Sequence, residues 1–273
     1  MEIGKSPAMR ARAPGRGGLV HRIAPAWGAE VVSSNIVGYE KINLNKGFNM
    51  IGVQFVQVGG ANKDLATVGA MDDSFAGFDE DGYYATEMRV WTGTGYSYYG
   101  WTGTSGTDLL DDADMDNLWL DDNQEDAGEK LKASSGFWVN AEKTGTLTIS
   151  GEVPSSDTVE VNLVAGFNMV ANPYPGAVKI AQFGALDNTF AGFDEDGYYA
   201  TEMRVWTGTG YSYYGWTGTS GTDLLDDDSI DNLWLNDNQE DDGKSIEFGH
   251  AVWINAEKAG TITFKNPATP SGN

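Results

Sequence analysis

Across 273 residues the chain contains no cysteine and only two histidines. Without cysteine there are no disulfide crosslinks and no thiol nucleophile, and the redox compartment is left open. His21 lies in an atypical N-terminal stretch, and His250 stands where the corresponding position of an internal repeat carries Ser135. Neither histidine is therefore shared between repeats. There is no G-x-S-x-G elbow, no phosphate-binding loop and no H-E-x-x-H pair. Gly93-x-Gly95 lacks the third glycine of a dinucleotide loop and reads as a turn. These absences point away from an enzyme. A glycosidase-type carboxylate pair is the exception, because its geometry leaves no mark on a sequence. No run of 18 apolar residues occurs, which excludes insertion into a membrane as a helix.

Positive charge is scarce as well. Seventeen basic side chains face 40 acidic ones, for a net charge of −23. Five of the basic residues (Lys5, Arg10, Arg12, Arg16, Arg22) fall within residues 1–39, leaving 12 basic and 38 acidic side chains in the rest. Such a surface repels phosphate backbones and argues against nucleic-acid binding. A solvated acidic exterior that maintains solubility is its plainest reading.

The chain does contain a duplication. Residues 75–112 and 190–227 are the same 38-residue string, offset by 115 positions without a substitution. Diverged similarity extends on both sides, so the repeat is a unit of about 115 residues, the size of a small domain. The implied organisation is a basic segment 1–35, unit one 36–153, unit two 154–267 and a tail 268–273. Residues 1–30, rich in Gly, Pro and Ala, are expected to be disordered. Ala26-Trp27-Gly28-Ala29 has small residues of signal-peptidase type, but only Leu19, Val20 and Ile23 precede it as an apolar region, so this stretch as written is not expected to work as a signal peptide; a misassigned start upstream of a true signal is one explanation. Export remains the favoured expectation, with a cytoplasmic protein as the alternative.

Within unit one, Ile42 and Leu44 alternate with Lys41, Asn43 and Asn45, the pattern of a half-buried strand. A second strand is expected over 48–58. Asp79-Glu80-Asp81-Gly82 reads as a hairpin turn leading into a returning strand, with Tyr84, Thr86, Met88 and Val90 on one face. Thr92-Gly93-Thr94-Gly95 turns the chain into 96–101, and a last hairpin joins 136–141 to 146–150. Six to eight short strands with frequent turns give an all-β fold: two tandem antiparallel β-sandwich or barrel-like repeat domains. The short linker Pro154-Ser155-Ser156-Asp157 implies a defined orientation between them.

Ile36-Val37-Gly38-Tyr39 leading into Gly47-Phe48-Asn49-Met50-Ile51, with Gly166-Phe167-Asn168-Met169-Val170-Ala171-Asn172-Pro173-Tyr174-Pro175 and a later Gly136-Phe137-Trp138 strand, resembles a repeat family of secreted or surface proteins from the Planctomycetes–Verrucomicrobia group of bacteria. The resemblance spans about residues 36–265 and implies an exported β-repeat protein; it carries no catalytic set. Unit one departs from the pattern at Gly52-Val53-Gln54, where unit two has Ala171-Asn172-Pro173. Unit two departs at Ala251, where unit one has Gly136.

Two ligand chemistries can be read from the residues. Asp112, Asp114 and Asp116, with Asp227 and Asp231 in unit two, have the alternate spacing that lets a loop aim oxygens at calcium. The plainer alternative is a solvated loop, since Asn117 and Asn123 replace the glycine and glutamate of a helix-loop-helix calcium site. Aromatics supply the other: Trp91, Tyr96, Tyr98 and Trp101, matched by Trp206, Tyr211, Tyr213 and Trp216, could stack on sugar rings from a strand face. Duplication would make such binding avid. Against this stands the usual role of large aromatics as core. The functional expectation is a non-enzymatic exported repeat protein, structural or adhesive at the cell surface or in a matrix. Its partners would be glycans, other surface proteins or further copies of itself. A calcium-assisted carbohydrate-binding module is the alternative.

Overall fold

Alternation in β10 (Gly145–Glu152) shows how the sequence builds this structure: Leu147 and Ile149 point into a core while Thr146 and Thr148 face outward. The computed structural model describes residues 37–104, 113–219 and 228–267. The expectations for residues 1–35 and 268–273 lie outside them. The first repeat contributes β1 (Val37–Leu44), β2 (Gly47–Gly52), β3 (Lys63–Asp64), β4 (Ala70–Met71), β5 (Glu87–Trp91), β6 (Tyr96–Trp101), β7 (Trp119–Leu120), β8 (Lys130–Leu131), β9 (Gly136–Ala141) and β10. The second repeats the order as β11 (Thr158–Leu163), β12 (Gly166–Ala171), β13 (Val178–Lys179), β14 (Ala185–Leu186), β15 (Glu202–Trp206), β16 (Tyr211–Trp216), β17 (Trp234–Leu235), β18 (Ser245–Ile246), β19 (Ala251–Ala256) and β20 (Gly260–Lys265). Among the described residues the only helices are short 3-10 turns, and none is long and apolar enough to cross a membrane. The fold is all-β and antiparallel, as the sequence indicates.

Each repeat holds a three-stranded sheet (β1-β10-β4, then β11-β20-β14), a five-stranded sheet (β2-β9-β5-β6-β7, then β12-β19-β15-β16-β17) and a two-stranded ribbon. The inner faces of the two larger sheets enclose a core. In repeat one it joins Ile42, Leu44, Leu147 and Ile149 to Ile51, Met88, Trp101, Phe137 and Val139; in repeat two, Leu163 and Ile262 to Val170, Met203, Trp216 and Ile254. Trp101 packs against Trp119 at 5.3 Å between ring centroids, and Trp216 against Trp234 at the same distance. Each inner indole is anchored, Trp119 Nε1 donating to the Gly69 carbonyl and Trp234 Nε1 to that of Gly184. In both repeats the entering strand pairs with the departing one, Val37 opposite Glu152 and Thr158 opposite Lys265.

Two strands are shorter than the residue pattern suggests. β2 ends at Gly52, after which Val53 exchanges backbone hydrogen bonds with Ser134 and Ser135 and Val56 forms an isolated bridge with Glu152. The Asp79–Gly82 turn forms, with Asp79 Oδ1 accepting the Asp81 and Tyr83 N–H groups at 3.0 and 2.9 Å, but its flanks make only one bridge, Phe78 to Tyr84. A Cβ on Gly100 would lie 1.7 Å from Tyr84 Cγ, so beside this short pairing the Tyr84 ring occupies the space over β6. Tyr199 over Gly215 repeats the arrangement.

Candidate functional site

The outer faces of the five-stranded sheets carry Phe48 and Met50 from β2, Trp138 from β9, Arg89 and Trp91 from β5, and Tyr96 and Tyr98 from β6. Alternation alone gives this face the mixed polarity of a solvent-facing surface. In the structure its β2/β9 side meets the β12/β19 side of the other repeat. Met50, Trp138, Met169, Ala171, Ala251 and Trp253 form a buried cluster, with Trp91, Tyr96, Trp206 and Tyr211 packed around it.

The seam has approximate twofold symmetry. Trp91 Nε1 donates to the Phe167 carbonyl at 2.8 Å, and Trp206 Nε1 to the Phe48 carbonyl at 3.0 Å. Trp91 meets Trp253 edge to face at 5.4 Å, and Trp206 meets Trp138 at 5.3 Å. The backbones touch as well: Gly52 N–H donates to the Gly249 carbonyl at 2.8 Å, and Ala171 N–H to that of Ser134 at 2.9 Å. Burial raises the pKa of Tyr96 and Tyr211, against the opposing effect of a hydrogen bond from the Trp138 and Trp253 indoles respectively. Arg89 lies over Phe48 and Tyr98, at 4.8 and 5.3 Å, and its charge is paired with Glu87 at 2.7 Å. Arg204 does the same with Phe167, Tyr213 and Glu202.

The aromatic candidates thus separate into three groups. Trp101 and Trp216 are about 1% exposed and belong to the inner cores, which removes them from any surface a sugar could reach. Trp91, Tyr96, Trp206 and Tyr211 are half-buried in the seam, with Trp91 and Tyr96 rings inclined at 65° rather than coplanar. Tyr98 and Tyr213 stay exposed beside the arginines. A shallow cleft of about 220 Å³ opens at the seam, lined by Phe48, Arg89, Tyr96, Trp138, Trp206 and Tyr211. Trp138, Trp253, Phe48 and Phe167 are the seam residues that the strand pattern did not single out. The glycine-for-alanine departures at 52/171 and 136/251 were the available sign.

Comparison with known protein families, curated proteins and solved structures finds no match.

Of the acidic candidates, Asp112 and Asp227 lie outside the described residues. Asp114 sits in a short 3-10 turn with Asp116 just after it, and Asp231 follows the equivalent turn in repeat two. Among the described residues no three metal-type side chains converge. Nearby, Asp121 Oδ1 accepts the Asn123 and Glu125 N–H groups at 2.8 and 3.0 Å, and in repeat two the neutral Asn236 accepts from Asn238 and Glu240 in the same way. The turn therefore needs an oxygen acceptor at that position and not a charge.

A different ionisable group is conspicuous. Glu40 points inward from β1 at a position where repeat two has Val159, and it is only 9% exposed. Its Oε2 has no hydrogen-bond partner among the described residues, and burial pushes its pKa up to about 7. Oε1 faces the Gly249 loop of the other repeat, at 2.7 Å from where a Gly249 Cβ would stand.

Proposed function

We propose that the chain is a non-enzymatic structural or adhesive repeat block, exported to act at the cell surface or in a matrix. The observation that supports this reading best is the seam. The aromatic residues most suited to ligand contact are largely engaged in joining one repeat to the next, through two indole-to-carbonyl hydrogen bonds and a buried cluster. A fused pair with an acidic exterior suits a rigid spacer or a matrix element. Among the described residues strands β1 and β11 each pair on one side only, which offers ladder edges for association with other copies. The test is fractionation of the native source with an antibody to residues 37–267. Retention in the surface or matrix fraction supports the proposal, and recovery solely as a soluble intracellular monomer overturns it.

The seam cleft favours a second reading, a carbohydrate-binding module. Its aromatic walls offer faces to sugar C–H groups, and Arg89 and two tyrosines offer polar edges. The overall acidity selects neutral glycans over anionic ones. A glycan array probed with the full chain, with and without millimolar calcium, tests this. Binding abolished by Tyr96→Ala with Tyr211→Ala would establish it, and calcium dependence would bring in Asp114, Asp116 and Asp231. Silence in both conditions removes it.

A further inference from the structure

Four residues that differ between the repeats within the seam form two matched pairs. Gly52 and Ala171 are equivalent positions in their repeats and face each other across it; so do Gly136 and Ala251. A Cβ on Gly52 would fall 2.5 Å from Ala171 Cβ and 2.9 Å from the His250 carbonyl oxygen. One on Gly136 would fall 2.6 Å from Ala251 Cβ and 2.6 Å from Met169 Cγ. Two alanines therefore do not fit at either contact without a shift of the backbones, whereas two glycines would leave a void the size of one methyl group. A third asymmetry runs the same way. Gln54, 1% exposed, accepts the Gly249 N–H at 3.0 Å through its side-chain oxygen, and repeat two has Pro173 at the equivalent place. Two copies of repeat two facing each other would leave that buried N–H without its acceptor.

We propose that residues 52, 54, 136, 171 and 251 act as an address that makes the seam accept only an unlike repeat: a glycine-type repeat one against an alanine-type repeat two. All five lie outside the 38-residue identical segments. Those segments supply Trp91, Tyr96, Trp206 and Tyr211, and these aromatics are the same in either repeat and so cannot distinguish one partner from another. The discrimination therefore rests on the diverged strands β2, β9, β12 and β19 and on Gln54 just after β2. In a chain whose hairpins are interchangeable, this directs folding to the intrachain pair and disfavours association of one copy with another through like repeats.

Reciprocal substitution in the full-length chain tests the address. Gly136→Ala is expected to lower Tm by about 5 °C, the scale of overpacking in a protein of this size, and to shift tryptophan emission to the red as the seam loosens. Ala251→Gly alone is expected to lower Tm by less. The double variant, Gly136→Ala with Ala251→Gly, restores one methyl at the contact and should recover most of the loss in both readouts. A strain confined to residue 136 would not be relieved by a change at 251. If Gly136→Ala is unaltered in Tm, or if the double variant is no better than the single, the proposal fails. If the single variant does not fold, the double variant decides alone, because it must fold with wild-type emission.

Discussion

The β5–β6 and β15–β16 hairpins and the strands that flank them make a controlled comparison within one chain. The hairpins are identical in sequence, and their surroundings are nearly so: Arg89 and Arg204 sit 4.8 Å from Phe48 and Phe167, and the Trp101–Trp119 and Trp216–Trp234 ring angles are 54° and 56°. The flanking strands and the residues next to them have diverged, and the asymmetry of the seam lies there. Hairpin geometry is thus set locally and is indifferent to which repeat it occupies. Partner choice is set by strands whose individual residues, a glycine here and an alanine there, look inconsequential.

The comparison is tested most severely by removing large seam side chains. Trp138→Ala and Trp253→Ala should each cost about 3–5 kcal/mol in urea unfolding, from lost burial plus a cavity. A loss below about 1 kcal/mol would show that the seam is not packed as described. Next comes the asymmetry at Glu40. Its folded pKa of about 7 exceeds the ordinary value of 4.5, so between these limits the folded state holds a proton that the unfolded state has released. Stability referable to this group is therefore present below about pH 4.5 and lost as pH rises through 7. Glu40→Val, which installs the repeat-two residue type, should raise stability at pH 8 by on the order of 2 kcal/mol and by much less at pH 5. Equal gains at both pH values would refute the assignment.

Smaller effects probe the symmetry. Trp91→Phe and Trp206→Phe each remove one indole-to-carbonyl hydrogen bond, with an expected loss of about 1 kcal/mol. The two losses should agree within about 0.5 kcal/mol; a larger gap would show that the repeats do not share the seam equally. The smallest effect belongs to the exposed turn. Tyr83→Ala and Tyr198→Ala should stay within about 0.5 kcal/mol of the parent, since both rings are more than 70% exposed.

Much of the fold was legible because its signals are local. The alternation of Ile42 and Leu44, the Asp-Gly turn and the Thr-Gly turn all reside within a few residues. The seam was not legible, because one face of β5 presents Glu87, Arg89 and Trp91, the mixture expected of a strand facing water. The residues that cover it come from the other repeat, more than 70 positions away for Trp91 and Phe167. Trp101 and Trp91 also looked alike in sequence, ten residues apart in the same aromatic run. Only the register of β6 against β5 assigns one to the core and the other to the seam. The departures at Gly52 and Gly136 were visible as differences, but their meaning required knowing which residues oppose them.

The pairing of entry with exit, Val37 beside Glu152 and Thr158 beside Lys265, has a consequence for how a chain like this lengthens. A unit whose two ends emerge side by side can be spliced into or copied within a gene without rerouting the strands around it. Tandem copying is then topologically cheap, and what limits a longer array is whether each new unit meets a neighbour of the opposite type.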